Sequence, residues 1–234
     1  MISGNENISG RKIAVYQHEG HHFFLMTSGL RSVRDKAVAY FEESLEDQSQ
    51  PMDRFFKVVN AFASEIRRVA AEDKRALEES GLKFNIFCLM GGKMMNDDEH
   101  RLYLIYPEAN WVEIGHGTPY HIIGASGYGK PVLDRTLKFD DSMQFALKVG
   151  CLAFDSTRIS AADVDFPIDV VMLFEDGRLV ERRFEKEELS EISDGWHERL
   201  RNSVNNLPSL WLDRFFATIE EPPVPEAQAE RALL

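Results

Sequence analysis

The sequence predicts an α+β fold of layered sheets and helices, and three observations predict it. Strand-like and helix-like segments come in separate runs (strands, two helices, strands, a helix, a hairpin, a helix), not as alternating βαβ units. The segment Phe84-Asn85-Ile86-Phe87-Cys88-Leu89 is apolar on both faces apart from Asn85, which suits a strand covered from both sides. A chain of 234 residues, 44% of them hydrophobic, can bury a substantial core as one domain. Two sheets stacked face to face, with helices on both outer surfaces, would account for doubly covered strands.

Taken in order, the first seven residues are polar and turn-like. Lys12-Ile13-Ala14-Val15-Tyr16 alternates with strand period, and His22-Phe23-Phe24-Leu25-Met26 reads as a second strand. His18-Glu19-Gly20-His21 between them has the composition of a hairpin loop, and Thr27-Ser28-Gly29 ends the second strand. Val33, Ala37, Phe41 and Leu45 recur at helical spacing, as do Phe55, Val59, Phe62, Ile66 and Val69. The second helix stops at Gly81, a residue that accepts positive φ. Strands are expected at 84–89, 102–106, 111–114 and 120–123, then a helix through Met143, Leu147, Gly150, Cys151 and Phe154. Segments 168–174 and 179–184 flank Glu175-Asp176-Gly177, a hairpin signal. Trp196, Leu200 and Val204 mark a last amphipathic helix. After Phe216 the run Pro222-Pro223-Val224-Pro225 and its acidic neighbours cannot build a core. The expected organisation is therefore one domain over 1–216 and a disordered tail over 217–234.

Charge narrows the function. With 27 Lys and Arg against 39 Asp and Glu, the formal net charge is −12, which repels a phosphate backbone and argues against nucleic acid as partner. The two cysteines, Cys88 and Cys151, form no CxxC pair and sit in apolar surroundings, as small buried hydrophobes do. No apolar run is long enough to span a membrane, and the N-terminus has no basic-then-apolar signal pattern, so the cytoplasm is the expected compartment.

Local motifs need weighing against plainer readings. Gly124 to Lys130 fits GxxxxGK, but Pro131 stands where a phosphate-binding loop needs Ser or Thr for Mg²⁺, and proline also removes a backbone N–H. A glycine-rich turn between strand and helix reads better than nucleotide binding. His18, Glu19, His21 and His22 cluster within five residues; on a hairpin tip they read as a hydrophilic loop, not as a metal site. No GxSxG elbow occurs, although a Ser/His/Asp triad assembles in space and leaves no fixed spacing.

A further set of landmarks runs in order along the chain: Ser9-Gly10-Arg11-Lys12, Leu25-Met26-Thr27-Ser28-Gly29, Phe84-Asn85 with Gly91-Gly92, Leu104-Ile105-Tyr106-Pro107, Tyr120 to Arg135, and Phe154 to Asp169. Together they cover about Asn5 to Leu212, and on them the chain resembles the bacterial proteasome-type proteases of the Anbu kind, relatives of proteasome β-subunits and HslV. The resemblance implies the four-layer αββα sandwich of N-terminal-nucleophile hydrolases and a threonine peptidase without metal or organic cofactor. It also implies a ring-like or helical homo-oligomer acting on peptides or unfolded protein, in the cytoplasm and apart from nucleic acid and membrane.

Residue by residue, Lys12 matches the strand lysine near the nucleophile, where a cation would lower neighbouring pKa values. Gly29 matches the glycine whose N–H helps form the oxyanion hole, and Ser126 the serine that supports the nucleophile's amine. Ser160 and Asp163 stand where the family places an Asp and a Ser, with the two types exchanged. The nucleophilic threonine has no match. Only eleven residues precede Lys12, so ~20 residues, about two strands and a turn, would be missing from the front. The expectation is thus an N-terminally truncated sandwich, inactive as it stands, with a non-catalytic structural subunit of a similar assembly as the alternative.

Overall fold

The computed structural model describes residues 2–3, 6–7, 11–46 and 51–217, and the chain divides into two compact units, Met1–Glu191 and Ile192–Leu234. The expected tail from 218 onward lies outside the described residues, as do Ser9 and Gly10 of the first landmark. A short antiparallel pair, β1 (Ile2–Ser3) with β2 (Glu6–Asn7), comes first.

The first unit is organised around a five-stranded antiparallel sheet in the order β3 (Ile13–His18), β4 (His21–Gly29), β5 (Ile86–Gly92), β6 (Arg101–Ile105), β7 (Trp111–Glu113). The β3–β4 hairpin turns on Glu19 and Gly20 alone, both at positive φ (49° and 82°), a two-residue turn matched to strand twist. His18 and His21 are therefore paired strand residues, and the four-residue loop expected there contracts to two. The second correction concerns Thr27-Ser28-Gly29. These residues do not end the strand; they continue it, in register with Cys88, Phe87 and Ile86.

Side chains alternate across β4 as strand geometry requires. Phe23 and Leu25 join Ile86, Cys88 and Met90 of β5 in a core against α1 (Arg31–Glu46) and α2 (Phe55–Glu79). The periodicity read from sequence marks the buried stripes, Val33, Ala37 and Phe41 on α1 and seven residues from Phe55 to Val69 on α2. The start of α2 is fixed from a distance: Asp97 accepts from the amides of Phe55 (2.7 Å) and Met94 (2.9 Å). This satisfies a donor that the first helical turn leaves open and ties α2 to the loop after β5.

Segment 120–123 forms no strand. Its apolar residues Tyr120 and Ile122 instead pack on a small cluster of Leu133, Val149 and Ala153, which joins α3 (Lys130–Thr136) to α4 (Met143–Ser160). The two helices cross closely at Gly129, where a Cβ would come within 2.8 Å of the Ala153 carbonyl. Beyond them β8 (Ile168–Leu173) and β9 (Leu179–Phe184) form a two-stranded sheet closed by a turn at Gly177 (φ 84°).

α5 (Lys186–Asn205) follows and runs across the unit boundary. The second unit, taken by itself, contains the rest of α5 and α6 (Leu210–Phe216), a helix the sequence did not announce. Neither helix has a buried residue. The architecture is α+β, with antiparallel sheets and separate helices, as the segregation of sequence patterns predicts. No helix among the described residues is long and apolar enough to cross a membrane.

Candidate functional site

The face of β4 and β5 turned away from α1 and α2 lines a cavity of about 580 Å³ within the first unit. Met26, Ser28 and Leu89 supply the sheet wall. Tyr120 to Ala125, Gly129 and Leu133 supply a second wall, α4 from Ala146 to Thr157 a third, and residues 162–169 with Arg183 the last. Lys12 and Ile13 stand at the mouth, where they also line a neighbouring cavity of about 420 Å³ with Arg34, Asp35 and Glu181.

Lys12 is exposed, just before β3, and its carbonyl accepts from the Thr27 amide at 2.9 Å, which fixes its backbone to β4. β3 is an edge strand of its sheet, so its outer rim carries no ladder partner among the described residues. Among the described residues β8 pairs only with β9, and its residues Ile168 and Asp169 also border the cavity. Two strand edges therefore adjoin this space.

Gly29 follows directly on the lining residue Ser28. Its φ is 127°, and a Cβ there would lie 2.2 Å from the Asn85 carbonyl oxygen. Glycine is thus demanded by the close approach of the Asn85 backbone at the end of β4, independently of any substrate. Ser126 is exposed beside the lining pair Gly124 and Ala125, and its carbonyl accepts from the Lys130 amide at 3.2 Å. Asp163 lines the cavity, whereas Ser160, three residues earlier at the end of α4, does not. The cavity thus gathers Lys12 and Asp163 directly, with Gly29 and Ser126 each one residue removed from its lining.

An ion pair that sequence reasoning passed over sits in the same wall. Arg183 Nε and Nη2 donate to the two carboxylate oxygens of Asp169 at 2.7 and 2.9 Å. Arg11 Nε lies 4.0 Å from Asp169, and Arg11 Nη1 lies 3.6 Å from Glu181. Hydrogen bonds from Arg183 hold the Asp169 carboxyl below the usual carboxylate range, ahead of the opposing effect of desolvation. The pair was findable: Asp169 and Arg183 are equidistant from Asp176 in the hairpin turn, so antiparallel register must place them opposite each other.

Other groups in or near the cavity are occupied. Thr157 is buried and its hydroxyl donates to the Ala153 carbonyl at 2.8 Å. Burial lowers the pKa of His121, which favours the neutral imidazole. The Lys130 ammonium, the lysine of the GxxxxGK pattern, donates to both oxygens of Asp134 at 2.7 Å and to the Tyr120 hydroxyl at 3.1 Å. A lysine so engaged, on a seven-residue helix, does not make a phosphate cradle. Among the described residues no group of three His, Cys, Asp or Glu side chains is placed to hold a metal.

No family model and no curated protein matches the chain. Solved structures do. The Gly-1 mutant of Anbu from Hyphomicrobium sp. strain MC1 is 28% identical at TM-score 0.78, over 88% of this chain and 89% of that one. Anbu (ancestral β-subunit) from Yersinia bercovieri is 26% identical at TM-score 0.78, over 90% of each. The helical assembly of the Anbu complex from Pseudomonas aeruginosa contributes a likeness of fold, at 24% identity and TM-score 0.82 over 89% and 90%. The landmarks read along the sequence and the superposition of the whole fold point the same way: this chain is structurally homologous to Anbu, the ancestral β-subunit.

Proposed function

We propose that this chain is a subunit of a proteasome-related homo-oligomer that hydrolyses peptide bonds in an internal compartment, using a threonine-type N-terminal nucleophile. One observation carries the reading. The cavity between the β4–β5 face and α3–α4 is bordered by β3 and β8, each an edge strand among the described residues, and has a cation, Lys12, in its lining. An extended polypeptide is the ligand class that satisfies open strand edges, because its own amides and carbonyls complete the ladder.

In this reading Lys12 steadies negative charge that develops on the attacking oxygen and on the tetrahedral intermediate. The Gly29 amide serves the oxyanion, and Ser126 supports the nucleophile's amine. Ser160 and Asp163 make a polar rim on the α4 side. The α-amine of an N-terminal nucleophile titrates near ~8 and so acts as a base close to neutral pH. The reaction is acyl transfer to the hydroxyl and then to water, and it requires no metal. The four layers of an αββα sandwich follow if the β8–β9 pair belongs to a larger second sheet stacked on the first.

The test is hydrolysis of a fluorogenic peptide by the assembly as translated from its gene, with and without Lys12→Ala. Loss of one such electrostatic group lowers kcat by ~10²–10³-fold. Turnover unchanged by the substitution would overturn the assignment of Lys12. A second reading, a non-catalytic subunit of a similar assembly, is favoured by one fact: Thr157, the threonine of the α4 wall, is buried and its hydroxyl is held by the Ala153 carbonyl. An intact oligomer without turnover selects it.

A further inference from the structure

We propose that the apolar face of α5 and α6 is where a second copy of this chain docks, through the same face of its own α5–α6. The proposal rests on the reading that the chain assembles with copies of itself, and it names the surface.

In α5 the apolar residues Leu200 and Val204 stand four apart, Leu207 follows in the bend after the helix, and α6 continues with Leu210, Trp211 and Phe215. All six are exposed: Leu210 by 72%, Trp211 by 67%, Leu207 by 65%, Val204 by 60%, Phe215 by 59% and Leu200 by 48%. Scattered exposed leucines need no explanation, but six large exposed apolar residues between Leu200 and Phe215, two of them aromatic, do. Together they present roughly 700 Å² of surface, close to the ~800 Å² per partner of a stable standard interface. Trp and Phe are among the residue types that anchor protein–protein contacts.

Charge distinguishes the possible occupants. Residues 186–216 carry four Lys and Arg against six Asp and Glu. Amphipathic helices that settle on anionic lipid are rich in Lys and Arg, so a membrane is disfavoured, and nucleic acid for the same reason. A second copy brings the same apolar patch with charges of both signs around it. A two-fold axis through the patch then pairs like surface with like and closes the contact, as isologous interfaces do.

Sedimentation velocity of the full chain at micromolar concentration provides the test. The wild type is expected to sediment as a dimer or larger species, and Val204→Glu with Trp211→Glu to reduce it to a smaller one. Neither residue is buried, so the circular dichroism spectrum should be retained. In parallel, single cysteines at Leu200, Val204 and Leu207 with a short bismaleimide should give covalent dimers in at least one case. The native Cys88 and Cys151 are both buried and leave the readout clean. An oligomer indifferent to the double variant, or no cross-link at any of the three positions, overturns the surface while the assembly reading survives. A monomeric wild type overturns both.

Discussion

The two faces of the central sheet, built from the same strands, have opposite characters. Toward α1 and α2, β4 and β5 present Phe23, Leu25, Ile86, Cys88 and Met90, all at 1% exposure or less. The Phe23 ring lies 5.2 Å from Tyr16, 6.3 Å from Phe41 and 5.8 Å from Phe55, within the range where tilted and offset rings attract. Toward the cavity the same strands present Met26 and Ser28, only half-buried, and Leu89. One face is close-packed, and the other is left open enough to receive something. Stability therefore resides on the first face, and the proposed site lies on the second.

The sharpest way to break that division is to truncate the packed face. Phe23→Ala removes a fully buried ring from among three others and should cost ~3–5 kcal/mol of unfolding free energy. Urea denaturation followed by tryptophan fluorescence measures it; a loss below about 1 kcal/mol would mean that the face is not the seat of stability. Next in size is Gly29→Ala. A methyl group there would meet the Asn85 carbonyl, and the backbone would be held at a φ of 127°, so we expect ~2–4 kcal/mol. Because Gly29 follows Ser28, this variant should also disturb peptide hydrolysis, and comparison with the Phe23 variant separates the two effects.

These expectations show which parts of the molecule were legible in sequence. The stripes of α1 and α2 were, because a helix that covers a sheet must repeat its apolar residues near every fourth position. The β8–β9 hairpin was as well, since Asp176-Gly177 fixes the turn. Segment 120–123 was misjudged because apolar alternation reports a buried face without saying what buries it; Tyr120 and Ile122 pack on α3 and α4 with no ladder partner. Thr27 to Gly29 reads as a break because glycine reads as punctuation, whereas here Gly29 permits the close approach of Asn85. Of the site, Lys12, Gly29 and Ser126 came from family resemblance and the Asp169–Arg183 pair from neither source. Such a pair depends on register, which is readable only once the turn is assigned.

A smaller effect is expected from the wall of the cavity. Asp169→Asn removes a carboxylate held by Arg183 through two hydrogen bonds. Water reaches the Arg183 side chain, so the loss at neutral pH should be about 1 kcal/mol, at the lower end for charge-assisted bonds. The pH dependence fixes the sign. The folded-state pKa of Asp169 is lowered, so its contribution is fully present above the unfolded value of ~3.9 and is lost as pH falls through the lower, folded value. Wild type and variant should therefore differ at neutral pH and converge in acid. A gap that stays constant down to the acid transition would show that the pair is not what the substitution removes.

The smallest effect should come from the open face itself. Ser28 is adjacent to Thr27 but points the other way: Thr27 is 6% exposed and set toward the packed side, whereas Ser28 is half-buried and lines the cavity opposite Gly124. A Cβ placed on Gly124 would stand 3.1 Å from Ser28 Oγ, so the two walls are near contact at this point. Ser28→Ala takes away one hydroxyl at an open wall and no packed volume, and stability should change by no more than ~0.5 kcal/mol. Its consequence belongs to the ligand: a peptide held in the cavity loses one hydrogen-bonding neighbour, and KM should rise with kcat little changed. If Ser28→Ala instead destabilises the fold as much as a core truncation does, the cavity face is as tightly packed as the other, and the two faces of the sheet are not divided in their work.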